Sequence, residues 1–352
     1  KLSKAEPTYQ KLESFKLEYD MLYTGRQLGM ESYLADTFMK GFQVHQHAIE
    51  RILSNHEHLL AIINGTYGTK EQSFVLDESQ KEAVLRSLLS PITVITGGPG
   101  TGKTTTAKRM MEAFISVQDS SKPVRMTLAA PTGKAAARLS ESLQLFDDHP
   151  DFLSTEQKEL IPKQAQTIHR LLGLGLHSKP KYNLENPLPF DFILVDEASM
   201  IDQQLIRFLL EAIGDNTQLV LLGDRNQLPS VEAGAVFTQL YPSELENESL
   251  LAKFENQDLK NNHSVIFKRS DYTSAKPSKW AIGELKKGHR SSAESGILQL
   301  SEQIQSGNVI GLDDRYEDLS FKQLNTNDLE ALIQSFAEEE KRAFKTIRTA
   351  EE

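Results

Sequence analysis

Ile92-Thr93-Val94-Ile95-Thr96-Gly97-Gly98-Pro99-Gly100-Thr101-Gly102-Lys103-Thr104-Thr105 decides the fold. Five β-prone residues, Ile92–Thr96, run into a glycine-rich turn, and the turn opens a helical stretch. A glycine, four residues, then Gly-Lys-Thr is the P-loop spacing in the strand-to-helix context its chemistry requires. Glycines let successive backbone N–H groups turn inward around phosphates, the helix N-terminus adds its positive end, and Lys103 reaches the β and γ phosphates. The expected ATP contacts are therefore Gly97, Gly98, Pro99, Gly100, Thr101, Gly102, Lys103, Thr104 and Thr105, with Thr104 also a ligand for Mg²⁺.

Downstream, short apolar runs alternate with amphipathic helical stretches, the signature of a parallel α/β sheet with helices on both faces. Further strands are expected at Val124–Ala130, Phe192–Asp196 and Leu219–Gly223. Ligands of such sheets collect at the carboxyl ends of the strands. Phe192-Ile193-Leu194-Val195-Asp196-Glu197 delivers two adjacent carboxylates there, a Walker B pattern. Asp196 is expected to hold Mg²⁺ and Glu197 to orient and deprotonate the attacking water. Leu219–Gly223 leads to Gln227, a neutral amide placed to contact the γ-phosphate or that water. About twenty residues before the P-loop, Gln80 offers one donor and one acceptor to an adenine edge.

Residues 1–72 carry Leu, Ile, Met, Phe and Tyr at spacings of three and four and are expected to form a small helical domain that docks on partners. His45, His47, His56 and His58 crowd its end without a carboxylate or thiolate at ligand spacing, which points to solvated helix-face histidines rather than a metal site. The ATP-binding domain is expected over 73–285, with a polar, aperiodic insertion near 241–280. Helical patterning returns at Ile297–Ile304 and near Leu329–Phe344, within 286–352. The chain has no cysteine, which removes disulfides and thiolate chemistry. No apolar run approaches the roughly 18–20 residues that span a bilayer. The first residue is Lys1 with no signal pattern after it, so the expected origin is a trimmed cytoplasmic protein. The net charge of −10 argues against a body coated in positive charge, so any nucleic-acid binding must come from a few placed cations.

The ordered segments Leu76–Gln80, Ile95–Thr106, Leu128–Leu139 (LAAPTGKAAARL), Thr167–Gly173 (TIHRLLG), Ile193–Met200 (ILVDEASM) and Leu222–Ala235 (LGDRNQLPSVEAGA) resemble superfamily 1 helicases of the 5′-to-3′ branch. Within that branch they resemble most the RecD family, the alpha subunits of exodeoxyribonuclease V. The resemblance implies a RecA-like motor domain, DNA-stimulated ATP hydrolysis, translocation on single-stranded DNA, and partner subunits of an exodeoxyribonuclease V-type repair and recombination complex. It also implies strand contacts from Thr132, Lys134, Arg138, Thr167 and His169. Thr132, Lys134 and Arg138 stand at the start of a helix after a strand, where hydroxyl, N–H and cation can meet a phosphate. Ser178–Pro189 sits where the family carries a short duplex-splitting hairpin. Lys286–Arg290 is similar to the family's fourth motif, which makes Arg290 the expected arginine finger at the start of a second, incomplete motor domain. The later motifs are not found before Glu352, so weak ATPase activity and no unwinding are expected of this chain alone. The competing readings are a non-motor P-loop ATPase or kinase and a nucleotide-binding assembly module; stimulation of hydrolysis by single-stranded DNA separates them.

Overall fold

The computed structural model describes residues 15–18, 21–68, 73–119, 122–144, 152–175, 179–227, 236–241, 249–255 and 279–286, with isolated positions beyond. Two units divide the chain, Lys1–Arg290 and Ser291–Glu352. Nearly all described residues belong to the first.

The elements run in the order β1 (Phe15–Glu18), β2 (Met21–Thr24), α1 (Gly25–Gly41), α2 (Gln46–Ser54), α3 (His56–Asn64), β3 (Thr66–Gly68), β4 (Ser73–Val75), α4 (Glu78–Arg86), β5 (Ile92–Gly97) and α5 (Lys103–Ser116). There follow β6 (Met126–Ala130), α6 (Gly133–Gln144), α7 (Thr155–Glu159), β7 (Ala165–Thr167), α8 (Ile168–Leu172), β8 (Phe192–Val195), α9 (Gln203–Ala212), β9 (Gln218–Gly223), α10 (Val236–Leu240), α11 (Leu250–Glu255) and β10 (Ile282–Leu285). Six strands form one sheet in the order β10-β5-β9-β8-β6-β7. Every pairing in it is parallel.

Both faces of this sheet are buried, which is why its strands read as unbroken apolar runs. Side chains still alternate. On β8, Phe192 and Leu194 enter one core while Ile193 and Val195 enter the other; on β9, Val220 and Leu222 face opposite to Leu219 and Leu221. The first core receives α3, α4 and α5, with the Phe114 ring on α5 lying 4.8 Å from that of Phe192. The second receives α1, α8 and α9. Each fully buried side chain of this size contributes about 1.5–3 kcal/mol.

Helices α1–α3 pack on the sheet itself. Met30, Leu34 and Phe38 of α1, with Phe42 just after it, lie in one core beside Ile92 and Val94, and Leu59, Ile62 and Ile63 of α3 lie in the other. Ahead of them, β1 and β2 form an antiparallel hairpin in a region whose spacing reads as helical. Phe15-Lys16-Leu17-Glu18 alternates apolar with polar, the period of a strand. The expected insertion also contains more order than its polarity implies. Leu250, Leu251 and Phe254 of α11 are buried within it, and just after it β10 pairs in parallel with β5. The helices expected at 297–304 and 329–344 fall almost wholly outside the described residues.

His56 departs from the solvated reading. Its Nε2 lies 2.7 Å from the Phe254 carbonyl and its ring 4.5 Å from the Phe254 ring, so it packs α3 against α11. His45 precedes α2, and burial lowers its pKa, with smaller contributions from His47 and Arg51.

Candidate nucleotide and nucleic-acid site

β5 ends in a turn that only glycine makes without strain. Gly100 and Gly102 take φ of 77° and 78°, in the left-handed region where a Cβ costs about 1–2 kcal/mol. The Thr101 hydroxyl donates to the Gly98 carbonyl at 2.9 Å and pins the turn. Lys103 folds back over it, Nζ donating to the carbonyls of Gly97 at 2.7 Å and Gly98 at 3.1 Å. Pro99 is exposed, and Thr104 and Thr105 stand half-buried in the first turn of α5.

β8 lies two strands from β5, with β9 between them. The Asp196 N–H continues the ladder to the Ala129 carbonyl at 2.9 Å. The chain then turns through Glu197 at φ 53° and ψ 37°, the one non-glycine residue with positive φ among the described residues. That turn aims the Glu197 N–H at Asp196 Oδ1, 2.9 Å away. Glu197 Oε2 is buried without a hydrogen-bond partner. Strain and an unsatisfied buried oxygen in one carboxylate are features that persist where function needs them.

β9 delivers the third segment. Asp224 is buried; its Oδ1 accepts from Asn226 N–H at 2.9 Å and its carbonyl from Gln227 N–H at 3.2 Å. Arg225 N–H donates to Thr96 Oγ1 at 3.0 Å, which ties the Gln227 loop to the residue before Gly97. Gln227 is half-buried. Gln80 is 3% exposed and forms a capping box with Asp77 at the start of α4. Its Nε2 donates to the Thr101 carbonyl at 3.2 Å and its Oε1 accepts from Asp77 N–H at 3.0 Å, so in this structure its amide braces the P-loop from below.

The expected strand-contacting residues stand at the ends of β6 and β7, which are neighbours. Thr132 and Thr167 spend their hydroxyls as helix caps, accepting from Ala135 N–H and Arg170 N–H at 3.2 Å each. Lys134, Arg138 and His169 are exposed. Arg170 is exposed beside them. In the expected hairpin region the described residues hold a tight turn with one bridge, Asn183 to Asn186, and Leu184 at its tip is 71% exposed. Arg290 and residues 228–235 lie outside the described residues.

A family model described as an AAA domain matches residues 80–233. RecBCD enzyme subunit RecD of Haemophilus influenzae is 37% identical over 260 residues, covering 70% of this chain and 39% of that protein. RecD of Mycolicibacterium smegmatis is 48% identical over 168 residues, 46% of this chain and 30% of that one. Over the matched span the chain resembles the RecD proteins. The ATP-dependent RecD2 DNA helicase of Deinococcus radiodurans matches at 36% over 47% of this chain and 19% of its own length. The RecD-like chain thus spans about two fifths or less of these relatives.

In the RecD-like site, Asp196 carries the largest electrostatic perturbation of a carboxylate. Burial pushes it up to about 6; the Glu197 N–H opposes the rise, the Glu197 carboxylate adds to it, and Lys103 opposes it. The folded state therefore holds this proton more tightly than the unfolded chain, whose Asp titrates near 3.9. Stability is lost as pH rises from about 4 through 6 and the deficit persists above that. Asp196→Asn is expected to stabilise the protein in chelator at pH 7.5 by about 1–2 kcal/mol, the shift discounted for partial solvent exposure. Near pH 4 the two proteins should melt together. Thermal unfolding at both pH values checks this, and an identical melting temperature at pH 7.5 contradicts it.

Proposed function

We propose that this chain is the nucleotide-binding front part of an ATP-driven DNA motor subunit that works in the cytoplasm with the other subunits of an exodeoxyribonuclease V-type complex. The observation that carries the reading is the meeting of three segments on adjacent strands: the P-loop with Lys103, the Asp196-Glu197 turn, and the Gln227 loop tied to Thr96.

The residues present fit a magnesium-bound nucleoside triphosphate. Gly100 and Gly102 shape a cradle of backbone N–H groups, Lys103 supplies a cation now engaged only by carbonyls, and Asp196 is a half-buried carboxylate whose charge a divalent cation would compensate. Thr104 and Asp196 would hold the cation, which offsets phosphate charge when bound. Lys103 exchanges the Gly97 and Gly98 carbonyls for phosphate oxygens. Glu197 Oε2, buried and unpaired, takes the proton of the attacking water, and Gln227 orients that water. Arg290 is the proposed arginine finger.

Lys134, Arg138, His169 and Arg170 form the proposed single-strand contact at the carboxyl edge of the sheet, and Leu184 is the apolar tip of the proposed hairpin. On a chain of net charge −10, binding rests on a few cations, Lys134, Arg138 and Arg170. Single-stranded DNA should stimulate ATP hydrolysis; a turnover indifferent to DNA contradicts the motor reading. Neutralising Lys134 and Arg138 together should weaken binding of all sequences alike and reduce the salt slope by about 1–2, each phosphate contact contributing roughly 0.7 on single strands. Fluorescence anisotropy across a salt series measures it. A loss confined to one base sequence would indicate base readout instead.

A further inference from the structure

Two ties converge on the carboxyl end of β10. On one side, Lys286 N–H donates to the Ser79 hydroxyl at 3.1 Å, and that hydroxyl donates to Asp77 Oδ1 at 2.6 Å. The same Oδ1 accepts from Gln80 N–H at 3.0 Å, and the Gln80 amide donates to the Thr101 carbonyl at 3.2 Å. The run is unbroken from the first residue after β10 to the P-loop. On the other side, Glu284 Oε1 lies 3.3 Å from the Arg225 guanidinium and Oε2 accepts from the Tyr241 hydroxyl at 3.1 Å. Arg225 lies over the Tyr241 ring at 4.6 Å and stands two residues before Gln227. In register, Gly223, Thr96 and Glu284 sit side by side across β9, β5 and β10, one residue below Gly97.

We infer that Glu284–Lys286 is a joint connecting both ends of the nucleotide site to the chain that leaves toward residues 287–290, with Ser79 and Glu284 as its positioning residues. Through Ser79 the joint meets the Gln80 side of the P-loop; through Glu284 and Arg225 it meets the Gln227 loop. A nucleotide that displaces either Thr101 or Gln227 therefore shifts β10. The inference rests on the ATP-site reading above.

The ties are suited to position rather than to stability. The Arg225 and Glu284 side chains are 37% and 27% exposed, and a pair that exposed contributes about 0–1 kcal/mol. Removing either tie should leave the fold intact. The molecule also carries its own reporter. Trp280 is the only tryptophan in the chain, is 1% exposed, and lies two residues before β10. Arg86 stands 5.3 Å from its ring centre and donates to the Ile282 carbonyl at 2.9 Å, linking the indole's surroundings to the strand.

The test titrates the 352-residue chain with magnesium and a non-hydrolysable ATP analogue, reading affinity by calorimetry and Trp280 emission in parallel. The wild type should change its emission on binding. Ser79→Ala and Glu284→Gln should each bind within about fivefold of wild type, the limit set by one exposed interaction. Each should nevertheless lose at least half of the emission change, whereas Ser79→Thr, which keeps the hydroxyl, should retain it. Binding by the wild type without an emission change overturns the joint, as does a full change in both variants at unchanged affinity. Absence of calorimetric binding by the wild type sinks the ATP-site reading instead. A variant whose emission is red-shifted before nucleotide is added has lost its fold, and the other variant then decides.

Discussion

Glu197→Gln slows ATP hydrolysis by about 10²–10⁴ while nucleotide affinity stays close to that of the wild type, the range expected for loss of a positioned general base. The amide keeps the volume of the carboxylate and the φ of 53° at this turn, and the N–H that Asp196 accepts belongs to the backbone and survives the change. What disappears is the basic lone pair at Oε2, the oxygen that is buried and unpaired. Single-turnover hydrolysis against calorimetric affinity separates the two effects. A parallel loss of binding and turnover would mean that Glu197 holds the nucleotide rather than activates water. Unchanged turnover would remove it from the chemistry altogether.

The central strands were legible because burial on both faces writes an uninterrupted apolar run into the chain. Ile92 and Phe192 open strands where the sequence places them, and β9 opens one residue earlier than expected, at Gln218. The two edges were not legible. β7 is three residues, Ala165-Gln166-Thr167, all half-buried, and carries no apolar run. β10 has Gly283 and Glu284 at its centre, and its strand character comes from pairing with β5 rather than from its own residues. Helices α1–α3 are amphipathic, but periodicity reports that a face is apolar and not what covers it. Here the cover is the sheet, on both sides.

The site shows the same division. Glycine and lysine at fixed offsets fix the P-loop, since the φ values of Gly100 and Gly102 leave little choice of residue. Contacts between segments distant in sequence have no such signature. Nothing in Arg225, Tyr241 or Glu284 taken singly announces that they meet, and Ser79 reads as an ordinary residue of a helix start until Lys286 is found on its hydroxyl. Thr132 and Thr167 cap helices α6 and α8 by accepting backbone N–H groups, which leaves each O–H as the donor for a phosphate oxygen.

Lys103→Ala abolishes ATP turnover by removing the cation that the P-loop presents. Each charge-assisted hydrogen bond to a phosphate oxygen is worth about 1.5–3 kcal/mol. Loss of two weakens binding by on the order of 10²–10⁴. No second lysine stands within Gly97–Thr105 to replace it. The two bonds that Nζ makes in this structure go to carbonyls of a partly exposed loop, so the folded protein should melt within about 1 kcal/mol of wild type. Arg in its place should not restore activity, because a planar fork cannot occupy a seat built for a compact ammonium between the Gly97 and Gly98 carbonyls. Lys103 is also the charge that opposes the rise at the Asp196 carboxyl, so its removal drives Asp196 further toward the protonated form. Calorimetry with a non-hydrolysable ATP analogue, alongside thermal unfolding, decides the matter. Affinity equal to wild type in a folded Lys103→Ala protein would show that phosphate is held by the backbone alone and that this lysine serves only to close its own loop.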